Sequence, residues 1–210
     1  MKVLGARKTW NRLTSGSLGI IIYAVLGVVL AFLFMKFLSF ALATDLPVVA
    51  VISNSMDHGI PEDSTTKFAY PCGRAVDNYT ENFDNWWNLC GGSYAKFDIS
   101  KEEFLNFSFK DGLKKGDMPV VQGNTKYKVG DIIVYTAADC GTRAIIQKVP
   151  IIHRIVKIDQ NGLIYTQGDH NGSQNPYESC IEAGQVHGRV IFIIPKLGYV
   201  KVLVSDIFGV

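Results

Sequence analysis

The N-terminal part of the chain is dominated by a long apolar run. Ser17 to Met35 contains no charged residue, and apolar residues resume after Lys36 and continue to Ala43. A helix rises 1.5 Å per residue, so about 20 apolar residues cross the hydrocarbon core of a bilayer. The pattern predicts a single transmembrane helix over residues 17–43.

The charges around this run predict its orientation. Basic residues precede it, and no acidic residue occurs before Asp45. The positive-inside rule therefore predicts that residues 1–16 are cytoplasmic and that the rest of the chain is exported. The alternative is a cleaved signal peptide, for which Ala41-Leu42-Ala43 would be the small-x-small site. The anchor is favoured because the run exceeds the usual apolar region of about 7–15 residues. The basic residues are Lys2, Arg7, Lys8 and Arg12.

A different pattern follows the anchor. Short runs rich in Val and Ile alternate with Gly-Asp and Asn-Gly turns, which is typical of β-strands joined by tight turns. Residues 44–56 and 129–200 are therefore predicted to form a mainly β domain. The predicted turn-and-strand segments cover residues 46–56, 115–121, 129–135, 144–149, 151–158, 163–167 and 185–194.

Residues 57–128 interrupt this β pattern and read as an inserted cap. Ser100 and Glu103 form a capping box, which predicts a short helix from Ser100. The aromatic residues of the insertion predict a small satellite core, with a substrate platform as the alternative. The C-terminal tail, residues 201–210, is predicted to lie at the membrane interface or to dock as a helix or strand. The aromatic residues are Trp86, Trp87, Phe97, Phe104 and Phe107.

Charge and cysteine content narrow the class of protein. The net charge is +2 and no basic stripe follows the anchor, so nothing indicates nucleic-acid binding. The chain has 4 cysteines and no Cys-x-x-Cys pair, which favours two disulfides on the exported side over a zinc site. Of the three pairings, Cys72–Cys90 and Cys140–Cys180 are favoured; four reduced, buried cysteines are the alternative.

Three segments carry the residue types of activated-serine chemistry. Ser53-Asn54-Ser55-Met56 lies shortly beyond the anchor, His153 lies in an apolar strand, and Gly168-Asp169-His170-Asn171 forms a turn. A serine nucleophile needs a base and a group that orients the base. Two turn serines and a structural histidine are the alternative interpretation. A metal held by Asp169, His170 and His187 is disfavoured, because their spacing matches no standard ligand pattern.

In order and spacing, these segments resemble the type I signal peptidases, specifically the archaeal and endoplasmic-reticulum branch. The resemblance implies that Ser55 is the nucleophile and that Ser53 assists the Ser55 N–H in binding the oxyanion. His153 stands where bacterial members carry a lysine, which implies that it is the general base. Histidine ordinarily titrates close enough to neutral pH for this task.

The third catalytic residue is not fixed by the sequence. The branch usually carries a second aspartate beyond the Gly-Asp box, and the corresponding residue here is Asn175, followed by Pro176. Either Asp169 or Asn175 orients His153, or the chain is an impaired member. We favour Asp169, because an asparagine can fix the ring but cannot stabilise an imidazolium by charge.

The resemblance implies a membrane-bound endopeptidase that removes signal peptides from secretory preproteins and requires no cofactor. Its expected partners are signal peptides, the lipid bilayer and the protein translocation channel. Its expected location is the cell membrane, with one pass and an extracytoplasmic catalytic domain. Three alternatives stay open: an impaired family member, a disulfide-stapled ectodomain that only binds a partner, and a related self-cleaving peptidase.

Overall fold

The computed structural model of the protein describes residues 16–60 and 70–199. Helix α1, Gly16–Ala41, contains a single charged residue, Lys36. From Gly19 onward this helix is long and apolar enough to cross a membrane. The basic N-terminal residues and the predicted tail, 201–210, lie outside the described residues. The described residues up to Ala41 and those from Leu42 onward form separate compact units.

The second unit is built on one antiparallel sheet of five strands. The strand order is β1-β5-β2-β3-β4, so β1 and β4 are the edges. The predicted architecture, an apolar N-terminal helix followed by a β-rich domain, is therefore confirmed. The strands are β1 (Met118–Gln122), β2 (Ile132–Tyr135), β3 (Ile151–Ile158), β4 (Ile164–Gln167) and β5 (Val186–Ile194).

Strand β2 lies at the centre and is buried on both faces. Because side chains alternate along a strand, Ile132 and Val134 pack into one cluster and Ile133 and Tyr135 into another. Strand β3 pairs with β2 and alternates in the same way. Its consecutive residues His153 and Arg154 therefore face opposite sides of the sheet.

Two predicted strands are not formed as expected. Within residues 46–56, a single bridge joins Val48 to Val120, although Val49 N–H and Val51 N–H also donate to residues of the β1 region. Pro47 cannot donate to a ladder, which limits pairing at the start of this segment. Residues 144–149 do not form a strand. They make an irregular loop with one bridge, in which Ile145 and Ile146 are largely exposed.

The region predicted to be an insertion contains two helices, α2 (Phe83–Ala95) and α3 (Lys101–Leu105). The Ser100 side chain caps α3 by accepting a hydrogen bond from Glu103 N–H at 3.1 Å, as predicted. Helix α2 was not predicted, because its Gly91-Gly92 pair and its aromatic residues do not favour a helix. Tertiary packing offsets this weakness, since α2 buries Trp86 and Tyr94 in the satellite core. Strand β1, which also lies within 57–128, belongs to the main sheet.

The predicted satellite core is confirmed. Trp86 and Phe104 are fully buried, and the other three predicted aromatic residues pack against them. Two disulfides join Cys72 to Cys90 and Cys140 to Cys180, with Cα–Cα distances of 5.5 and 5.6 Å. These are the pairs that the sequence analysis favours. The first links α2 to the short turn Pro71–Gly73, and the second links two loops of the β domain.

Candidate active site

Ser55 lies on a turn that is fixed on both sides. The next residue, Met56, is buried in the main core, and its carbonyl accepts a hydrogen bond from Leu113 N–H at 2.9 Å. The Ser55 carbonyl accepts a hydrogen bond from His170 N–H at 2.9 Å. The Ser55 side chain itself is only half-buried, and its Oγ lies 3.2 Å from Ser53 Oγ. The fold thus immobilises the backbone of Ser55 and leaves its hydroxyl accessible.

His153 enters the same site from strand β3. Its ring is almost completely buried, and it lines a groove that Ser55 and Ser53 also line. A Cβ atom at Gly168 would stand 2.8 Å from both His153 Nε2 and the Ser55 carbonyl oxygen, so both atoms border this glycine. Among the described residues, no hydrogen bond links Ser55 Oγ to His153 Nε2. Such bonds are often long in enzymes without substrate.

The groove is a cavity of about 760 Å³ with a largely apolar lining. One wall is the segment from Val49 to Ile52, which leads into the Ser55 turn. The other wall is formed by residues 147–152, at the start of β3. The polar residues of the lining include Ser53, Ser55 and His153. An extended apolar segment of peptide could lie between the walls with its backbone close to the two serines.

The carboxylate that contacts His153 belongs to Glu178. Glu178 Oε1 lies 2.5 Å from His153 Nδ1, and the Glu178 side chain is fully buried. It projects from a short 3-10 turn, Pro176–Ser179. A buried carboxylate is costly unless it is paired and hydrogen-bonded, so this contact is a specific feature of the site.

Asp169 has a different environment from the one predicted. Both of its carboxylate oxygens accept hydrogen bonds from the fully buried Arg154 guanidinium, at 3.0 and 2.6 Å. Tyr94 Oη donates to one oxygen at 2.6 Å, and His58 Nε2 lies 3.1 Å from the other. Burial alone would raise the pKa of Asp169, but the Arg154 charge and these hydrogen bonds hold that pKa well below its usual range. The preferred role of Asp169, orienting His153, does not agree with this geometry.

Asn175 also differs from its predicted role. Its backbone N–H and its side-chain Nδ2 donate to Glu178 Oε2 at 2.6 and 3.0 Å. It lines the groove, but it makes no hydrogen bond to His153 in the part of the chain that the structure describes. Asn175 therefore contacts the partner of the histidine instead of the histidine.

The other histidines of the domain have structural partners. His58 stacks on Trp86 with ring centroids 3.7 Å apart. His170 Nδ1 lies 2.8 Å from the Asp57 carbonyl, and His187 bridges Thr136 and Asp45 at 2.9 Å each. Within residues 16–60 and 70–199, no three potential metal ligands of the His, Cys, Asp or Glu type come together.

The sequence is similar to known proteins over about half of its length. No protein-family model matches the sequence. The signal peptidase complex catalytic subunit SEC11 of Eremothecium gossypii is 32% identical to the chain over 113 residues, which cover 49% of the chain and 64% of that protein. The SEC11 catalytic subunits of Zygosaccharomyces rouxii and Fusarium vanettenii are 27% and 26% identical, with 64% and 62% of their lengths covered.

Over about half of its length, the chain is similar to proteins named as catalytic subunits of the signal peptidase complex. The resemblance drawn from the serine motif, His153 and the Gly-Asp box is thus confirmed. The match spans less than two thirds of the length of these SEC11 subunits.

The sequence did not single out Glu178, the residue whose carboxylate contacts His153. It lies three residues beyond Asn175, inside the segment Pro176-Tyr177-Glu178-Ser179. A signal was present: Asn175 and Glu178 have the spacing of an N-cap residue and its N3 partner. That pattern indicates a local turn, and it does not indicate that the glutamate would also reach strand β3.

Proposed function

We propose that the chain is a membrane-anchored serine endopeptidase that removes N-terminal signal peptides from secretory preproteins. The observation that carries this proposal is the groove in which Ser55 and His153 meet beside Gly168. Kinship with SEC11 catalytic subunits supports peptidase chemistry at this groove. The catalytic roles of the individual residues are part of the proposal.

Ser55 Oγ attacks the scissile carbonyl carbon while His153 Nε2 takes the hydroxyl proton. The tetrahedral intermediate then collapses. The C–N bond breaks, and His153 returns the proton to the leaving amine. Water, deprotonated by His153, attacks the resulting ester, and the signal-peptide carboxylate leaves as Ser55 regains its proton. Atoms and protons balance without a cofactor.

The developing oxyanion needs donors that are already in place. Among the hydrogen bonds of the described residues, none uses the Ser55 N–H, so this group is available to the oxyanion. Ser53 Oγ, 3.2 Å from Ser55 Oγ, is near enough to supply a second donor. We assign the oxyanion site to these two groups.

The groove accounts for the proposed substrate. Its apolar lining supports an extended apolar segment of peptide, paired through its backbone. Small side chains at the −1 and −3 positions are what the resemblance to signal peptidases implies. Helix α1 would hold the domain at the bilayer, with the N-terminus cytoplasmic and the groove on the extracytoplasmic side of the cell membrane. The translocation channel would deliver the preproteins. Residues 57–128 would act as a cap beside the groove.

The decisive experiment is cleavage of a signal-peptide-bearing preprotein by the full chain in proteoliposomes. Wild type should cut at a small-x-small site, and Ser55→Ala or His153→Ala should each lower kcat by at least about 10⁴-fold. His187→Gln is the matched control, because His187 also bridges a hydroxyl and a carboxylate but does not line the groove. It should cleave at the wild-type rate.

Two outcomes would contradict the proposal. Cleavage that survives Ser55→Ala would exclude Ser55 as nucleophile. Failure of folded wild type to cut any of several preproteins would favour a binding ectodomain or an impaired member.

A further inference from the structure

We propose that Glu178, held in place by Asn175, is the positioning residue of this site and fixes the ring of His153 for catalysis. The inference rests on the proposed function and deepens it, because it names the group that the sequence left open. It also implies that the asparagine at 175 is part of a working site and does not mark an impaired one.

When the Glu178 carboxylate is ionised, the hydrogen bond between it and His153 can have only one donor. An ionised carboxylate only accepts, so His153 Nδ1 must carry the proton that lies in the 2.5 Å contact. A neutral ring protonated at Nδ1 has its lone pair at Nε2. That nitrogen borders Gly168, which the Ser55 carbonyl oxygen also borders, so it lies on the side of the ring where a base for Ser55 is needed.

The surroundings of Glu178 hold its carboxylate in one orientation. One oxygen, Oε2, accepts both hydrogen bonds from Asn175. The other, Oε1, faces His153 and has the Thr166 hydroxyl 3.4 Å away. Each oxygen therefore has its own set of partners, and the carboxylate cannot rotate without losing several hydrogen bonds. This is the arrangement expected of a group that positions a catalytic ring.

No other described carboxylate competes for this role. Asp169 is engaged by Arg154, Tyr94 and His58, and the hydrogen bonds of its carboxylate go to these residues. Arg154 follows His153 in β3, so its side chain and the Asp169 carboxylate lie on the opposite face of the strand from the His153 ring. Glu178 alone combines burial, charge and contact with His153.

The first test is Glu178→Gln in the cleavage assay. Glutamine keeps the size of the side chain but loses the charge, so kcat should fall on the order of 10⁴-fold. KM should change less than about threefold, because the buried Glu178 does not face the groove. The matched control is Glu182→Gln, since Glu182 is an exposed glutamate in the same region that pairs with Arg143. The control should keep the wild-type kcat.

The second test is Asn175→Asp, because a rise or a fall in kcat distinguishes the two possible roles of residue 175. If residue 175 itself oriented the histidine, a new carboxylate there would raise kcat. In our assignment it places a second negative charge about 3.0 Å from Glu178 Oε2, replacing a donor with a repelling group. We expect kcat to fall at least tenfold. A rise in kcat, with Glu178→Gln near wild type, would overturn the assignment.

A third readout does not depend on cleavage. A histidine Nδ1 proton held against a carboxylate gives a low-field proton resonance in protein labelled at histidine nitrogen. The His153 signal is identified as the one that His153→Gln removes, and it should also vanish in Glu178→Gln but persist in Glu182→Gln. Its persistence in Glu178→Gln would overturn the inference even if wild type cleaves. If the resonance is lost in Glu178→Gln but wild type does not cleave, the proposed function is contradicted. Glu178 is then still the hydrogen-bond partner of the His153 ring.

Discussion

Two neighbouring residues of β3 bind two buried carboxylates, on opposite faces of the strand. His153 contacts Glu178 beside the groove, and Arg154 contacts Asp169 beside the aromatic core of α2 and α3. The Asp169 carboxylate accepts hydrogen bonds from Arg154, Tyr94 and His58, so both of its oxygens are occupied by contacts that stabilise the fold. Among the described residues, the ion-pair partner of Glu178 is the histidine.

The two buried carboxylates therefore have different capacities to take part in a reaction. A carboxylate that is bound on all sides by a fixed cation and a phenol cannot respond to a reaction. A carboxylate whose main partner is a titratable ring can stabilise the charge that the ring acquires. We therefore expect Asp169 to control stability and Glu178 to control turnover.

The largest expected effect on stability comes from Asp169→Asn. The substitution leaves the Arg154 guanidinium buried without a counter-charge, and breaking a buried pair in this way costs about 3–5 kcal/mol. Chemical denaturation of the detergent-solubilised chain should show this loss. Asp84→Asn is the control, because Asp84 forms an exposed pair with Lys101 at 2.9 Å. Exposed pairs contribute at most about 1 kcal/mol, so a comparable loss in the control would contradict the comparison.

Asp169→Asn should also change how the free energy of unfolding depends on pH in the acid range. The pKa of Asp169 is lower in the folded protein than its usual range, despite burial, chiefly because of Arg154. Such a group stabilises the fold above its unfolded pKa of about 4, and the contribution is lost as pH falls towards the folded value. Wild type should therefore lose free energy of unfolding from about pH 5 downward. Asp169→Asn should show a flatter dependence, and equal slopes would mean that Asp169 is not the linked group.

The sequence was informative where a residue has one local role. The apolar run predicted helix α1, and the runs rich in Val and Ile predicted most of the strands. Ser55 and His153 could be named because they lie in a recognisable order along the chain. Helix α2 could not be predicted, since the packing of Trp86 and Tyr94 against distant segments stabilises it.

The contact between Glu178 and His153 was missed for a geometric reason. Asp169 was favoured over Asn175 because it carries a charge, and no sequence pattern linked Glu178 to His153. Only the pairing of the strands shows that Asp169 meets Arg154 and that Glu178 meets His153. His153 and Arg154 contact different carboxylates because their side chains lie on opposite faces of β3.

A smaller effect on activity is expected for Gly168→Ala. The added methyl group would stand 2.8 Å from His153 Nε2 and from the Ser55 carbonyl oxygen, and 2.6 Å from Asn171 Nδ2. Either the ring or the serine turn must shift, and a displacement of about 1 Å can lower a rate about 10²-fold. Gly184→Ala is the control, because no atom lies within 4 Å of a Cβ there. Wild-type kcat in Gly168→Ala would show that nucleophile and base are not positioned at this glycine.

The smallest expected effect is that of Tyr94→Phe, which tests whether the two faces of β3 act independently. Burial and the neighbouring Asp169 raise the pKa of Tyr94 well above its usual value, so its hydroxyl is a permanent donor to that carboxylate. Removing it should cost about 2 kcal/mol of stability, since Arg154 and His58 still bind Asp169. Tyr165→Phe is the control, because the Tyr165 hydroxyl makes no hydrogen bond within the described residues. Both variants should cleave preprotein with wild-type kcat at a temperature where they are folded. A fall in kcat for Tyr94→Phe comparable to that of Glu178→Gln would mean that the two faces of β3 are coupled, and that Asp169 reaches the chemistry through Arg154.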